Sequence, residues 1–348
     1  MNELAPIGYV AERTPLPSDA QGALMRIVEQ HRSGYVVHDG KTTRAAKALP
    51  KLRHHVSDAS ERPCVGDWCL VAERGCELII ERVLPRFSTL VRGAAGETQT
   101  RQALAANIDH VLIVTGLDRD FNVRRIERYL TLVSGSGVRP TLVLTKADKE
   151  LAAAALRDEV AAIAPGVTLH LVNAKSADSC AALAAQLLPG ETAVLVGSSG
   201  AGKSTLTNTL LGAASQATGS VREADGRGRH TTVSRALLPL PGGACLIDTP
   251  GLREIKLTGD EDVADSFDDI AALAAACRFR DCQHEREPGC AVRKALDAGE
   301  LDDARFQSYQ KLSAEVARAG ETVLARQARK AYAAEMSRAM RDVTRRKR

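Results

Sequence analysis

Residues 192–211 read TAVLVGSSGAGKSTLTNTLL. An apolar run, Ala193–Val196, enters a glycine-rich turn, and a helical stretch, Ser204–Leu211, leaves it. The turn, GSSGAGKS at 197–204, meets every fixed position of the phosphate-loop pattern G-x-x-x-x-G-K-[ST]. Gly197, Gly200 and Gly202 permit the curl that aims backbone N–H groups at a phosphate. Ser198, Ser199, Ala201 and Thr205 complete that cradle. Lys203 is expected to reach the β- and γ-phosphates and stabilise charge there, and the Ser204 hydroxyl to ligate Mg²⁺.

Downstream, ACLIDTPG (244–251) ends an apolar run at Asp248. This carboxylate is expected to hold Mg²⁺, directly or through water, and the Gly251 N–H to sense the γ-phosphate. Between the two motifs lies the polar, Gly-rich segment GSVREADGRGRHTTVSRA (219–236). Thr232, or alternatively Thr231, is expected to complete the Mg²⁺ shell when a triphosphate orders that segment. A Ras-type enzyme places a glutamine after DTPG to orient water. Here Leu252 stands there, and it can neither donate nor accept. His230 is the nearest polar residue able to position the attacking water. Turnover is therefore expected to be slow until a partner orders the loop.

Upstream, TKAD (145–148) follows the apolar run TLVL. The Asp148 carboxylate can accept from guanine N1–H and the exocyclic amino group, where adenine offers the opposite pattern. The Lys146 stem would pack on the ring, and Thr145 would brace the loops. NAKS (173–176) also follows a strand-like run. It resembles the Ser-Ala-Lys element that backs guanine O6, with Asn173 replacing serine ahead of Ala174 and Lys175. In ordinary GTPases the base reader follows the phosphate loop, and here it precedes it.

The apolar runs at 110–117, 141–148, 169–175, 192–200 and 244–251 alternate with helical stretches at Val123–Leu132, Lys149–Ile163, Asp178–Leu188 and Lys203–Leu211. That alternation predicts a parallel sheet with helices on both faces, and places every motif at a strand's carboxyl end, where ligands sit in such sheets. Ahead of it, residues 34–92 hold short β-like runs (YVVHDG, WCLVAE, ELIIERVL) separated by turn signals. An OB-type barrel fits this length, and an SH3-like barrel fits nearly as well. Residues 1–33 read as a partly ordered leader and 93–106 as a linker opening a nucleotide domain over 93–262. A zinc-binding and helical domain with a basic tail covers 263–348.

In that last region CRFRDCQHEREPGC (277–290) carries Cys277, Cys282, His284 and Cys290. Three thiolates and an imidazole make a closed tetrahedral zinc set, structural because no position is left for substrate. Arg278, Arg280 and Arg286 surround it and could face phosphate. Cys64, Cys69 and Cys76 lack a nearby histidine and read as small core or surface residues. From Glu315 to the end, ten Lys/Arg face four Asp/Glu, against a net charge of +4 for the whole chain. A basic tail of this kind suits a polyanion such as RNA. The chain has no run of 18 apolar residues and no basic start followed by an apolar stretch. A cytoplasmic protein with reduced thiols and no membrane partner is expected.

Taken together, TKAD, NAKS, GSSGAGKS, RHTT and DTPG, then C-x₄-C-x-H-x₅-C, resemble the bacterial ribosome-small-subunit-dependent GTPase A family. VGDW (65–68), VLPR (83–86), DFNVRRIERYL (120–130) and CRFRDCQHEREPGCAV (277–292) carry the likeness from about Gly34 to Leu312. It implies a circularly permuted GTPase between an N-terminal OB barrel and a C-terminal zinc domain. It further implies one structural Zn²⁺, Mg²⁺ with GTP, and a monomer that binds the small (30S) ribosomal subunit and its rRNA late in maturation. That subunit would stimulate hydrolysis, and hydrolysis would release the factor. Asn173, Thr145 (where many relatives have asparagine) and Val233 (often a third threonine) depart from the family pattern, and none of them removes a phosphate or metal ligand. Competing readings are an rRNA-binding protein with incidental turnover, an ATP-using phosphate-loop kinase, which TKAD disfavours, and a permuted GTPase of the large subunit, which the barrel and zinc ligands disfavour.

Overall fold

The computed structural model describes residues 2–31, 33–53, 58–93, 101–119, 121–212, 235–249 and 256–321. His230, Thr231, Thr232, Gly251 and the basic tail beyond 321 lie outside them. The first strands are β1 (Ala23–Gln30), β2 (Tyr35–His38), β3 (Thr43–Ala48), β4 (Trp68–Arg74) and β5 (Glu77–Val83), with one helical turn, α1 (Pro50–Arg53), after β3. β1 pairs antiparallel with β2 and β4, β2 with β3, and β4 with β5, while β3 runs parallel to β5. The order 1-2-3-5-4-1 closes an OB-type barrel around Ile27, Val37, Cys69 and Ile80.

Two expectations change here. The leader does not stand apart: Ala23–Gln30 is the first barrel strand, and Leu4 and Ile7 pack against Trp68. Arg26 and Glu29 break the apolar alternation of β1, which hides it in the sequence. Nor is 93–106 wholly a linker, because β6 (Thr89–Gly93) and β7 (Arg101–Ala106) form an antiparallel ribbon. The alanine-rich run ARG-GLN-ALA-LEU-ALA-ALA of β7 carries little strand propensity, so only pairing makes it a strand.

The next sheet segment comprises β8 (His110–Gly116), β9 (Arg139–Thr145), β10 (Thr168–Leu171), β11 (Thr192–Val196), β12 (Arg235–Pro239) and β13 (Cys245–Asp248). Their order is β10-β9-β8-β11-β13-β12, parallel throughout except for β12. The interspersed helices are α2 (Val123–Val133), α3 (Ala153–Ile163), α4 (Ala177–Gln186) and α5 (Lys203–Leu211). Side chains of β8 alternate between faces, as strand geometry requires. Val111 and Ile113 join the core containing Ile126 and Tyr129 of α2 and Val160 of α3. Leu112 and Val114 join the opposite core, with Leu183 of α4 and Leu206 of α5. β12 also pairs with β1, so one eleven-stranded sheet runs from the nucleotide domain into the barrel.

The chain beyond DTPG does not pass straight into the cysteine segment. Lys256 first bridges to Gly93 of β6, and Arg101 pairs with Asp260. Then follow α6 (Asp268–Ala275), α7 (Ala291–Asp297) and α8 (Asp303–Gly320). α8 is fixed to α2 through fully buried Glu127, which accepts from Arg305 Nη1 (2.9 Å), Ser308 Oγ (2.6 Å) and its own neighbour Arg124 (2.6 Å). Arg305 also forks onto Asp269 and lies 4.7 Å over the Phe267 ring.

The barrel is tied to the nucleotide domain by Arg26, only 1% exposed. Its guanidinium donates to the carbonyls of Ile7 (2.6 Å), Gly66 (3.2 Å) and Asn107 (3.2 Å) and to Thr192 Oγ1 (3.0 Å). It also lies 5.1 Å over the Trp68 ring. Arg26→Met should strip this donor from the buried Ile7 and Asn107 carbonyls and Thr192 Oγ1, while Gly66 O keeps Asn107 Nδ2 (3.1 Å), and cost at least about 3 kcal/mol. Lys47→Ala, which removes only the exposed pair with Glu77, should cost under about 1 kcal/mol. Urea unfolding of both variants checks this, and equal midpoints would refute the role given to Arg26.

Candidate nucleotide and metal sites

Four loops leave the carboxyl ends of the parallel strands side by side. β9 ends at Thr145 and opens TKAD; β10 leads to Asn173; β11 leads to Gly197; β13 ends at Asp248. Gly197 has φ +150°, and a side chain there would strike the Val114 carbonyl at 2.2 Å, so the loop can lie this close to β8 only as glycine. Gly202, at φ +95°, caps α5 and turns its N-terminus toward the loop. Ser199, Gly200 and Ser204 are exposed along this mouth, with Ser198 and Thr205 half-buried and Ala201 buried beneath.

Lys203 is 7% exposed, and its ammonium donates to the carbonyls of Gly197 (2.8 Å) and Ser198 (2.7 Å). An ammonium has three donors, so one remains for an anion. Burial pushes its pKa below the usual lysine value, and the nearby Asp248 carboxylate opposes that shift. Asp248 is itself buried, at the end of β13 where β13 runs beside β11. Thr249 Oγ1 donates to the Leu195 carbonyl (2.6 Å), fixing the start of the DTPG turn to the same strand. A buried cation and a buried carboxylate at one strand edge are suited to a phosphate and a divalent ion respectively.

The base-reading side is tied to this cradle by hydrogen bonds. Thr145 Oγ1 donates to the Ala201 carbonyl (2.6 Å), linking TKAD to the phosphate loop. Thr209 Oγ1 of α5 donates to the Ala174 carbonyl (2.6 Å), linking NAKS to the same helix. Asp148 is exposed in the turn closed by Lys149 N–H to Lys146 O (3.0 Å). Asn173 Oδ1 accepts from Lys175 N–H (3.0 Å), so that N–H is engaged by the loop itself. Sequence reasoning missed this, since only the folded turn shows that the asparagine closes on its own loop.

Cys277, Cys282, His284 and Cys290 bring one ligand atom each within 4.8 Å of one another. Cys277 Sγ lies 3.9 Å from Cys290 Sγ and 3.6 Å from His284 Nδ1, and His284 Nδ1 lies 3.4 Å from Cys290 Sγ. Four ligands on a tetrahedron with ~2.3 Å Zn–S bonds sit about 3.8 Å apart, so the set fits zinc, with His284 offering Nδ1. Ala291 N–H donates to Cys277 Sγ (3.3 Å) and Arg293 N–H to Cys290 Sγ (3.4 Å), as thiolate ligands require. Desolvation and the neighbouring thiols push Cys282 up to about 11. A bound cation would favour the thiolate form of these ligands.

Thr145→Val should remove the link between the loops and weaken GDP binding roughly tenfold. Titration calorimetry checks it, and wild-type affinity would show that the bridge does not hold the pocket. Cys282→Ser is expected to abolish stoichiometric zinc in the purified protein and lower its melting temperature, while GDP affinity stays nearly unchanged. Retained zinc would remove Cys282 from the ligand set.

A family model described as RsgA GTPase matches residues 83–258. The protein named small ribosomal subunit biogenesis GTPase RsgA from Xanthomonas axonopodis pv. citri (strain 306) is 54% identical over 93% of this chain and 89% of its own. Its namesake from Xanthomonas euvesicatoria pv. vesicatoria (strain 85-10) is 56% identical over 86% of this chain and 83% of its own. The crystal structure of YjeQ from Thermotoga maritima superposes with a TM-score of 0.61 at 24% identity, covering 86% of this chain and 99% of that one. YloQ, described as a circularly permuted GTPase, gives 0.57 at 22%, covering 88% and 99%. These two likenesses speak for the fold. The extent and identity of the sequence matches place this chain in the RsgA GTPase family.

Proposed function

We propose that this chain hydrolyses GTP in the service of small-subunit ribosome biogenesis, the role named for its relatives. The observation that carries the reading is the Thr145–Ala201 bridge, which holds a guanine-type reader against a phosphate loop despite their inverted order in sequence. In this reading Asp148 selects guanine, Ala174 and the Asn173–Lys175 turn back its O6, and Lys203 and the loop amides hold the phosphates. Ser204, Asp248 and Thr232 hold Mg²⁺, which when bound neutralises charge on the phosphate oxygens. Gly251 senses the γ-phosphate. His230 orients the water whose oxygen bonds to the γ-phosphorus as the bond to the GDP oxygen breaks.

The partner surface follows from charge. Exposed cations of the barrel are largely matched, Arg44 by Glu73, Lys47 by Glu77 and Arg74 by Glu81. Around the zinc ligands Arg278, Arg280 and Arg286 are exposed and make no ion pair among the described residues. Arg278 lies over exposed Phe279 (5.4 Å). Asp281, Glu285 and Glu287 are interspersed with these arginines, so the segment suits rRNA through individual arginine–phosphate and stacking contacts and not through net charge. The protein acts as a cytoplasmic monomer, and no helix among the described residues is long and apolar enough to cross a membrane.

Purified protein should turn over GTP slowly, with a sharp rise on adding small subunits and none on adding large subunits. His230→Ala should remove most of that rise, on the order of 10²-fold, with GDP affinity unchanged. Turnover that small subunits leave unchanged would instead support a nucleotide-switched rRNA-binding protein.

A further inference from the structure

We propose that Gly116 and Asp118, just beyond the core of β8, are positioning residues that hold the Lys146 stem flat as the platform for the purine ring. The proposal rests on the guanine-nucleotide reading above, and neither residue belongs to any of the nucleotide motifs.

Lys146 is the first residue after β9 and sits in the left-handed region, at φ +63°. That backbone turns its side chain back across the neighbouring strand. Gly116 lies opposite Thr145 in the β8–β9 register. A Cβ on Gly116 would stand 3.1 Å from Lys146 Nζ, 3.2 Å from Cε and 3.3 Å from Cδ. The last three atoms of the lysine chain therefore run along the glycine. Gly116 does not have a positive φ, so a Cβ there is opposed by space and not by conformation, and admitting one would push the lysine stem aside by a few tenths of an ångström. Lys146 Nζ then pairs with the Asp118 carboxylate. The stem has a backbone floor on one side and an electrostatic tether at its end.

An untethered lysine carries rotamer freedom that it must lose before a base can stack on it. Floor and tether remove that freedom in advance. The ion pair is partly exposed, 27% for Lys146 and 38% for Asp118, so it contributes little to folding stability. Its loss should appear in nucleotide affinity and hardly in melting. Stacking is blind to the exocyclic amino group that Asp148 reads, which separates the two effects.

The test is Kd for GDP and for IDP, with melting temperature, on wild type, Asp118→Ala, Gly116→Ala, Lys146→Ala and the Asp118→Ala/Lys146→Ala double variant. We expect Asp118→Ala to weaken GDP and IDP by the same factor, roughly three- to tenfold, the ordering cost of one long side chain. Melting should be unchanged. The double variant should bind like Lys146→Ala alone, because the tether acts only through that lysine. Gly116→Ala should act in the same direction, and Asp118→Glu should restore most of the loss. Wild-type affinity in Asp118→Ala, a loss confined to GDP, or additive losses in the double variant would each overturn the proposal while leaving the GTPase reading intact. A wild-type protein that binds neither GDP nor IDP would overturn both.

Discussion

One buried guanidinium holds the barrel, the N-terminal turn and the nucleotide sheet together. Arg26 is a strand residue of the barrel, yet its hydrogen bonds end on Ile7, Gly66, Asn107 and Thr192. Burial lowers its pKa from the usual arginine value, and the more distant Cys245, Asp109 and Asp67 oppose that. Among the described residues no carboxylate touches it; carbonyl dipoles and the Trp68 face take the charge instead. A cation so enclosed is tolerated only if every acceptor stays in place. The fold therefore fixes the barrel against β11, the strand that feeds the phosphate loop.

The same junction gives the inverted motif order a structural meaning. β12, whose first residues close the polar segment that follows the phosphate loop, pairs with β1 of the barrel. Arg235 at its start lies within reach of Gln30 Oε1 and the Ala103 carbonyl, both 3.3 Å away. Lys256, shortly after DTPG, bridges to Gly93. The described residues that follow the two segments, Arg235 and Lys256, thus lie against the barrel strand β1 and the β6–β7 ribbon. The zinc segment is held separately, by Glu127 and Arg305 across α2 and α8. Permutation keeps the pocket intact because adjacency of strand ends, not their order along the chain, makes the site.

Much of this was legible in the sequence, for identifiable reasons. Four of the five parallel strands, β8, β9, β11 and β13, are largely apolar runs because both of their faces are covered, and such runs stand out, while edge strand β10 (TLHL) is only partly buried. The phosphate loop is legible because its glycines answer to backbone geometry that few other residues allow. β1, β7 and β12 were not legible. β1 contains a buried arginine, β7 is mostly alanine, and β12 is a short edge-joining strand whose partners lie in different parts of the chain. The zinc ligands were visible by residue type and spacing, but the use of His284 Nδ1 needed the folded loop.

By itself the sequence determined which chemical groups are present: a phosphate cradle, a guanine-type carboxylate reader, a magnesium-side aspartate and a four-ligand zinc set. These depend on residue identity within a few positions, which local chain geometry carries unaided. Only the tertiary structure decided how they meet. The Thr145–Ala201 bridge spans 56 residues, the Glu127–Arg305 pair 178 and the Arg26–Thr192 bond 166. No local pattern encodes contacts at such separations, because each exists only once the sheet has brought distant strand ends to neighbouring positions.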